Sequence, residues 1–311
     1  MTTWESYTTL ARTHVIPRLG KIPLQRLEPE HLDTFYADLL RDGRKDGTGG
    51  LSRRTVAYIH VVIHRALKDA VRKRKLAVNV AELADPPRQA RTKPQLKVWT
   101  EEELRRFLAR VREDRLYPAY FLAAATGMRR SELLGLPWDA VDLEKGVIAV
   151  RQTLVASVTY EARLKEMNKT QAARRSVAID PETAAVLTAW QRRQAEERTA
   201  WGSAWGGSGL VFTREDGNWI HPETFSWWFD RHVKTIGLPR ITVHGLRHTH
   251  VTLGLIAGID PKTMAQRVGH ASIKFMYDTY AHLIPGQDEQ AARIFSARVL
   301  GRQDEAAAPG R

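Results

Sequence analysis

In its last third the chain sets out His244 and Arg247 (H-G-L-R-H), His270 (V-G-H) and Tyr280 (D-T-Y-A-H), with Arg129 (T-G-M-R-R-S-E) far upstream. Two guanidiniums, two imidazoles and one phenol are the parts needed to break a phosphodiester without a metal. Such a reaction needs a nucleophile, donors for the non-bridging oxygens and a proton for the leaving oxygen. An arginine fork donates paired hydrogen bonds to phosphate oxygens and does not lose its charge. Two arginines arriving from separate segments would clamp one phosphate, each contributing roughly 3 kcal/mol to transition-state stabilisation. His244 and Arg247 are three residues apart, so a helix there presents both on one face. His270 follows Gly269 and is expected to project from a tight turn past a helix end.

Tyr280 supplies the nucleophile. A phenol with a pKa of about 10 attacks phosphorus poorly while protonated, and nearby cations lower that cost. The tyrosyl ester formed would retain the bond energy for rejoining. No cofactor is therefore expected, and no G-x-x-x-x-G-K-[ST] nucleotide loop occurs in the chain. Lys169, in M-N-K-T-Q-A-A-R-R-S-V, is the natural proton donor to the departing 5′ hydroxyl, with Lys165 as its local competitor. Glu132, one helical turn after Arg129, would hold a catalytic side chain in place.

Taken singly, each residue has a plainer reading. Arg129 could be a surface arginine at a helix start. Tyr280 and Tyr277 could both be core aromatics. His248 and His250 read as structural or peripheral. His244 and His248 have the spacing of a metal-ligand pair, but Arg247 between them would repel a cation, and no metal site is expected. The ordered combination points instead to a DNA strand-cutting and rejoining enzyme. That reading requires the head groups of Arg129 and Arg247 to converge.

Charge agrees with a polyanionic partner. The chain has 311 residues, no cysteine and a formal net charge of +13. Residues 1–98 hold 19 Lys and Arg against 10 Asp and Glu, while the remainder holds 29 against 25. The excess is densest where Arg53, Arg54, Arg65, Lys68, Arg72, Lys73, Arg74 and Lys75 are interrupted only by Asp69. We read that segment as a DNA-phosphate surface, with Arg53, Arg54, Arg65, Lys68, Arg72 and Lys73 as its contacts. Without cysteine, no disulfide framework or thiolate metal site forms. No signal-like or membrane-length apolar run is seen, so a cytoplasmic setting without membrane contact is expected.

The positioning elements are mostly helices. Residues 4–14 read as a short helix ending near Pro17 and Gly20. A second opens at Pro29 and Glu30, with Leu32, Phe35, Tyr36, Leu39 and Leu40 apolar, and closes near Gly43. Ser52 caps a third, with Val56, Ile59, Ile63, Leu67 and Val71 at helical spacing. Residues 85–98 carry three prolines and four bases, an extended linker. Thr100 and Glu103 form a capping-box signature. Helices are expected over 101–112, 117–126, 130–136, 181–198, 222–236, 243–257, 261–268, 272–282 and 287–300. Short strands are expected at 147–150 and 176–179, with a polar hairpin or loop between them. Residues 199–209 read as an irregular surface loop. The fold class is therefore mainly α, in two domains: a helical bundle over 1–84 and a larger, mostly helical domain over 99–300 with a small antiparallel sheet. A frayed tail over 301–311 follows.

These motifs resemble those of the tyrosine recombinases, the phage integrases. T-G-M-R-R-S-E-L-L-G-L-P-W carries the first arginine, Arg129, and N-K-T-Q-A-A-R-R-S-V the lysine, Lys169. H-G-L-R-H carries His244 and Arg247, V-G-H carries His270, and D-T-Y-A-H carries Tyr280. The resemblance implies a SAM-like core-DNA-binding domain at 1–84 and a catalytic domain at 99–300, together clamping duplex DNA. It implies a 3′-phosphotyrosyl intermediate, a Holliday junction and a homotetramer acting on two duplexes. Residues 287–300 would dock on a neighbouring protomer, and a bacterial or phage-encoded origin is implied. The chain departs from the pattern at Asn168, where proline is frequent, and at Ala173, where serine is frequent. Met1 falls where the core-binding domain starts, so no additional arm-binding domain is expected. That departure motivates a rival reading, a catalytically silent DNA-binding remnant or regulator. A type IB topoisomerase-like DNA-relaxing enzyme would share the same chemistry.

Overall fold

The computed structural model describes residues 3–88, 96–156, 162–167, 175–270 and 272–280, with positions 292, 295, 296 and 299 beyond. Lys169, Asn168 and Ala173, the middle of the proposed linker, most of 287–300 and the tail 301–311 lie outside the described residues. The chain divides into two compact units, one within residues 1–95 and the other from residue 96 onward.

The first unit is helical. α1 (Thr3–Leu10) runs through a π-helical stretch, Ala11–Val15, into α2 (Ile16–Leu19). The helical run ends at Leu19, close to Pro17 and Gly20 where the sequence suggested an end. In the widened turn the Ile16 N–H reaches the Ala11 carbonyl, just ahead of Pro17, which has no N–H to offer. α3 (Pro29–Asp42) and α4 (Arg53–Arg72) follow. Ser52 caps α4 by accepting the Thr55 N–H at 3.1 Å. Leu32, Phe35, Tyr36 and Leu39 of α3 pack with Val56, Ile59, Ile63 and Leu67 of α4. Each such side chain contributes about 1.5–3 kcal/mol on full burial. Val71 is only partly buried, so the apolar stripe fades in the last turn. Arg53, Arg54, Arg65, Lys68, Arg72 and Lys73 are all exposed. Asp69 pairs with Arg72 and with Lys73, the latter at 2.8 Å, which tempers the charge at that end.

The second unit opens with ordered packing at Leu96, three residues ahead of the expected start, against a cluster containing Val251, Met264 and Tyr280. α5 (Glu101–Arg110) begins with the capping box: Thr100 accepts the Glu103 N–H at 3.2 Å and Glu103 accepts the Thr100 N–H at 2.8 Å. α6 (Tyr117–Thr126) and α7 (Arg130–Leu134) lead into β1 (Val141–Asp142) and β2 (Val147–Val150). β3 (Gln152–Ala156), β4 (Ala162–Glu166) and β5 (Arg175–Ala178) follow. β1, β2 and β5 form an antiparallel sheet with Ile148 opposite Val177; β3 and β4 form a separate antiparallel pair with Leu154 opposite Leu164. The segment between the two expected strands is thus a hairpin with strands of its own.

α8 (Pro181–Trp201) runs three residues beyond its expected end and is followed by a 3-10 turn at Gly202–Ala204. Helix therefore occupies the start of the expected surface loop. α9 (Pro222–Ile236), α10 (Val243–Ile256), α11 (Pro261–Val268) and α12 (Ile273–Tyr280) complete the unit. An aromatic cluster of Trp99, Phe107, Tyr120, Phe225 and Phe229 fills its core, with Trp99 and Phe107 centroids 5.0 Å apart. The Trp99 N–H donates to Thr249 Oγ1 at 3.0 Å, tying the entry of the unit to α10. Among the described residues, no helix is long and apolar enough to cross a membrane.

Candidate active site

Two glycines place two carbonyls. Gly127 ends α6 and Gly269 ends α11, both left-handed at φ 62° and 70°. At Gly127 a Cβ would also meet the His250 ring at 2.8 Å. The Gly127 carbonyl accepts Arg247 Nη1 at 2.8 Å, and the Gly269 carbonyl accepts Arg129 Nη2 at 2.8 Å. Each helix C-terminus thus presents its negative dipole end to a guanidinium. Arg129 and Arg247 converge, as the sequence reading required, closely enough for each charge to act on the other.

Glu132 sits beneath them with a fully buried carboxylate. It accepts the Arg129 N–H at 2.9 Å and Arg129 Nη1 at 2.7 Å. It also accepts Arg175 Nη1 at 3.1 Å and Nη2 at 2.8 Å. Burial opposes its ionisation, but the hydrogen bonds and charge of Arg175, then those of Arg129, hold the carboxyl below its ordinary pKa of 4.5. Stability from this group is therefore complete above pH 4.5 and drains away as pH falls through the depressed value. Glu132→Gln leaves two guanidiniums facing a neutral amide. We expect it to destabilise the unit by about 3–5 kcal/mol and to flatten the acid limb of a Tm–pH profile. A variant melting within a degree of wild type at pH 7 would contradict this.

Arg175 was not singled out from sequence. It opens β5 and shares a face with buried Val177, so the period-two alternation already turns it inward. An inward arginine calls for a buried acid, and Glu132 is that acid. Arg267 was missed too. Its guanidinium donates to His250 Nε2 at 3.2 Å, to the Ala178 carbonyl at 3.0 Å and to the Ala125 carbonyl at 3.0 Å. Its own carbonyl accepts Arg175 Nε at 2.7 Å. His250, bonded also to the Ala124 carbonyl at 2.9 Å, braces α10 against the end of α6.

Arg247 itself is 1 % exposed. Its Nε and Nη2 have no hydrogen-bond partner among the described residues. Burial first, then Arg129, push its pKa down to about 9, which still leaves it charged at neutral pH. Three guanidiniums around one carboxylate, with one fork incompletely bonded, form a place for an anion.

His244 and His248 project from successive turns of α10, rings edge to face with centroids 4.7 Å apart. His244 reaches solvent at its edge; the protein packed around it, then Arg247 and Arg129, lower its pKa. His270 projects from the turn after Gly269, with Nδ1 2.9 Å from Met276 Sδ. Burial, Arg247 and Arg129 bring its pKa down to about 3. The Tyr280 ring is wholly buried against Val251, Met264 and Met276. Its hydroxyl lies 2.5 Å from His248 Nδ1. His248 is therefore no peripheral residue: it touches the proposed nucleophile. The i, i+4 step from His244 was the available signal. Tyr277, in contrast, is 54 % exposed and does not share the buried face of Tyr280. Lys165 is exposed on β4. Beside Arg129 and His244, a cleft of about 680 Å³ extends past Arg130, Trp227 and Arg240.

Fold and site together define a mostly helical two-unit protein in which a buried cluster of guanidiniums lies beside a buried phenol. Residues 97–286 match the phage integrase family, and residues 1–40 match the phage integrase N-terminal SAM-like domain. The chain belongs to the phage integrase family. A tyrosine recombinase XerC-like protein of Caldanaerobacter subterraneus subsp. tengcongensis is 29 % identical over 65 % of the chain and 54 % of that relative, about half its length. The ICEBs1 integrase of Bacillus subtilis is 24 % identical over 93 % of this chain and 76 % of the relative. Among solved structures, the Tn1549 transposon integrase in complex with transposon right-end DNA covers 96 % of this chain and 94 % of its own, at TM-score 0.74 and 22 % identity. A lambda integrase dimer bound to a core site covers 90 % of this chain and 72 % of its own, at TM-score 0.64 and 16 % identity. At these identities the likeness to solved structures establishes the fold.

Proposed function

We propose that the chain is a site-specific DNA recombinase that cuts and rejoins strands through a 3′-phosphotyrosyl intermediate, without metal or nucleotide. The observation that carries this reading is the buried, incompletely bonded Arg247 fork beside Arg129 and within electrostatic reach of the Tyr280 phenol. Arg129 and Arg247 grip the non-bridging oxygens of the scissile phosphate. His244 and His270 add donors at its edge, and an anion there favours in both the protonation that burial first, then the guanidiniums, suppress. Glu132, pinned by Arg175, orients Arg129. Tyr280 attacks phosphorus, and Lys169 protonates the 5′ oxygen as it leaves. The named integrases in complexes with DNA, and a lambda integrase tetramer bound to a Holliday junction, support a homotetramer on two duplexes as the working assembly. In it, residues 1–84 form the core-binding domain, 99–300 the catalytic domain, and 287–300 the segment that docks on a neighbour.

A randomised duplex library with a single nick tests the reading. The short fragment released on cleavage diffuses away and traps the enzyme as an adduct. Adducts enriched for one sequence, and formed in the presence of chelator, are expected. Cleavage that chelator stops and magnesium restores would point to a metal-dependent nuclease. Binding without any adduct would leave a silent DNA-binding protein, and sequence-indifferent plasmid relaxation a topoisomerase.

Binding should also weaken with salt, with a log–log slope of about −0.9 per neutralised phosphate. Replacing Arg65 and Lys68 by Ala should make that slope shallower by roughly one to two. An unchanged slope, measured by fluorescence anisotropy, would remove α4 from the DNA surface.

A further inference from the structure

Resting on the strand-cutting reading, we propose that His248 is a further catalytic residue: its Nδ1 takes the phenolic proton of Tyr280 during cleavage and returns it during rejoining. The geometry carries this. The Tyr280 hydroxyl and His248 Nδ1 are 2.5 Å apart, and their ring centroids are 5.8 Å apart. The ring is fixed because it stands on α10 one helical turn from His244, whose ring closes edge to face on it. The phenol is fixed because its own ring is buried in the cluster of Val251, Met264 and Met276. A buried nucleophile needs a proton acceptor within hydrogen-bond reach, and here one is in contact.

The surroundings set when the transfer occurs. His244 and Arg247 face His248 from α10, and His270 faces it from the turn after α11; Tyr280 faces it from α12. Arg129, Glu132 and Arg175 surround Arg247 behind them. Burial, His244 and Arg247 hold His248 unprotonated, with its pKa down to about 4, so its lone pair is available at neutral pH. Burial alone pushes the Tyr280 phenol up to about 12, against the pull of Arg247, so unaided ionisation is rare. A bound phosphate changes the balance, because its negative charge offsets the imidazolium that would otherwise stand beside Arg247. Proton transfer is thereby tied to the presence of DNA.

The step balances. A bond forms between Tyr280 Oη and phosphorus as the bond from phosphorus to the 5′ oxygen breaks. The phenolic proton passes to His248, and the 5′ oxygen takes its proton from Lys169. In rejoining, the 5′ hydroxyl gives its proton back to Lys169 as it attacks phosphorus, and His248 returns its proton to the departing phenolate.

The test uses the full chain and the nicked duplex that wild type captures from the library. His248→Asn is informative because its amide oxygen can accept the phenolic hydrogen bond but is not a base. Adduct formation should slow by about 10²–10⁴-fold while DNA affinity and melting temperature stay near wild type. Its rate should climb tenfold per pH unit between pH 7 and 10, where wild type is flat, since only pre-ionised phenol then reacts. His248→Ala should show the same climb. His248→Asn reacting at the wild-type rate with a flat profile would assign His248 a holding role and overturn the proposal. Wild type that binds DNA yet forms no adduct would sink the strand-cutting reading, and this one with it.

Discussion

Tyr280→Phe should abolish covalent attachment to the nicked duplex and leave DNA affinity nearly intact. The substitution removes one oxygen. The phenyl ring stays buried against Val251, Met264 and Met276, and the fold loses the hydrogen bond to His248, worth about 1 kcal/mol. In the proposed mechanism the phosphate is gripped by the guanidiniums of Arg129 and Arg247, which are held by glycine carbonyls that the change does not touch. Denaturing electrophoresis should therefore show no adduct, while a mobility shift persists. Tyr277→Phe is the control. That side chain is exposed, so its variant should form adducts at the wild-type rate. If Tyr277→Phe abolishes attachment and Tyr280→Phe does not, the nucleophile has been misassigned.

Arg247→Met should disable cleavage and make the free protein more stable. Arg247 is buried, lies among two other guanidiniums and one carboxylate, and has two nitrogens without partners among the described residues. Replacing such a charge by an apolar side chain of similar volume is often neutral or stabilising, by about 1–4 kcal/mol. For a domain of this size, each kcal/mol corresponds to roughly 2–4 °C in Tm. Adduct formation should fall by at least ~10²–10³-fold, because the lost donors serve charge that develops in the transition state. Inorganic phosphate should raise the melting temperature of wild type and not of the variant, since a ligand stabilises only the state that binds it. A variant that melts lower than wild type, or a wild type indifferent to phosphate, would show that Arg247 serves the fold rather than an anion. Such a gain would show that Arg247 is kept at a cost to the fold.

Both predictions concern residues that local sequence context already exposed. H-G-L-R-H places His244 and Arg247 on one helical face, and T-G-M-R-R-S-E sets Arg129 at a helix start beside a glycine turn. Most helix boundaries were legible as well, because caps such as Ser52 and Thr100 act within a few residues of themselves. Where reading failed, the reason was range or competing geometry. The π-helical geometry inside the first helical run depends on hydrogen bonds that widen ahead of Pro17, which periodicity does not record. Leu154 is the one buried side chain of β3 and β4, so alternation gave little signal. The chain between Val150 and Arg175 read as a polar hairpin or loop, without the bounds of the β3 and β4 strands that pair within it.

From the order of its residues alone, this protein announced a mainly helical architecture, a basic N-terminal segment, and a set of side chains suited to phosphodiester chemistry. Those are properties of composition, periodicity and short-range capping, each carried by neighbours in the chain. Three things were decided only in three dimensions: that Glu132 is shared between Arg129 and Arg175, that Arg267 ties β5 to the ends of α6 and α10, and that His248 meets the Tyr280 hydroxyl. The bonds concerned join groups 17 to 142 residues apart, except those between Arg129 and Glu132. A buried polar group must find its partner wherever packing brings one, and sequence spacing carries no record of which distant group that will be.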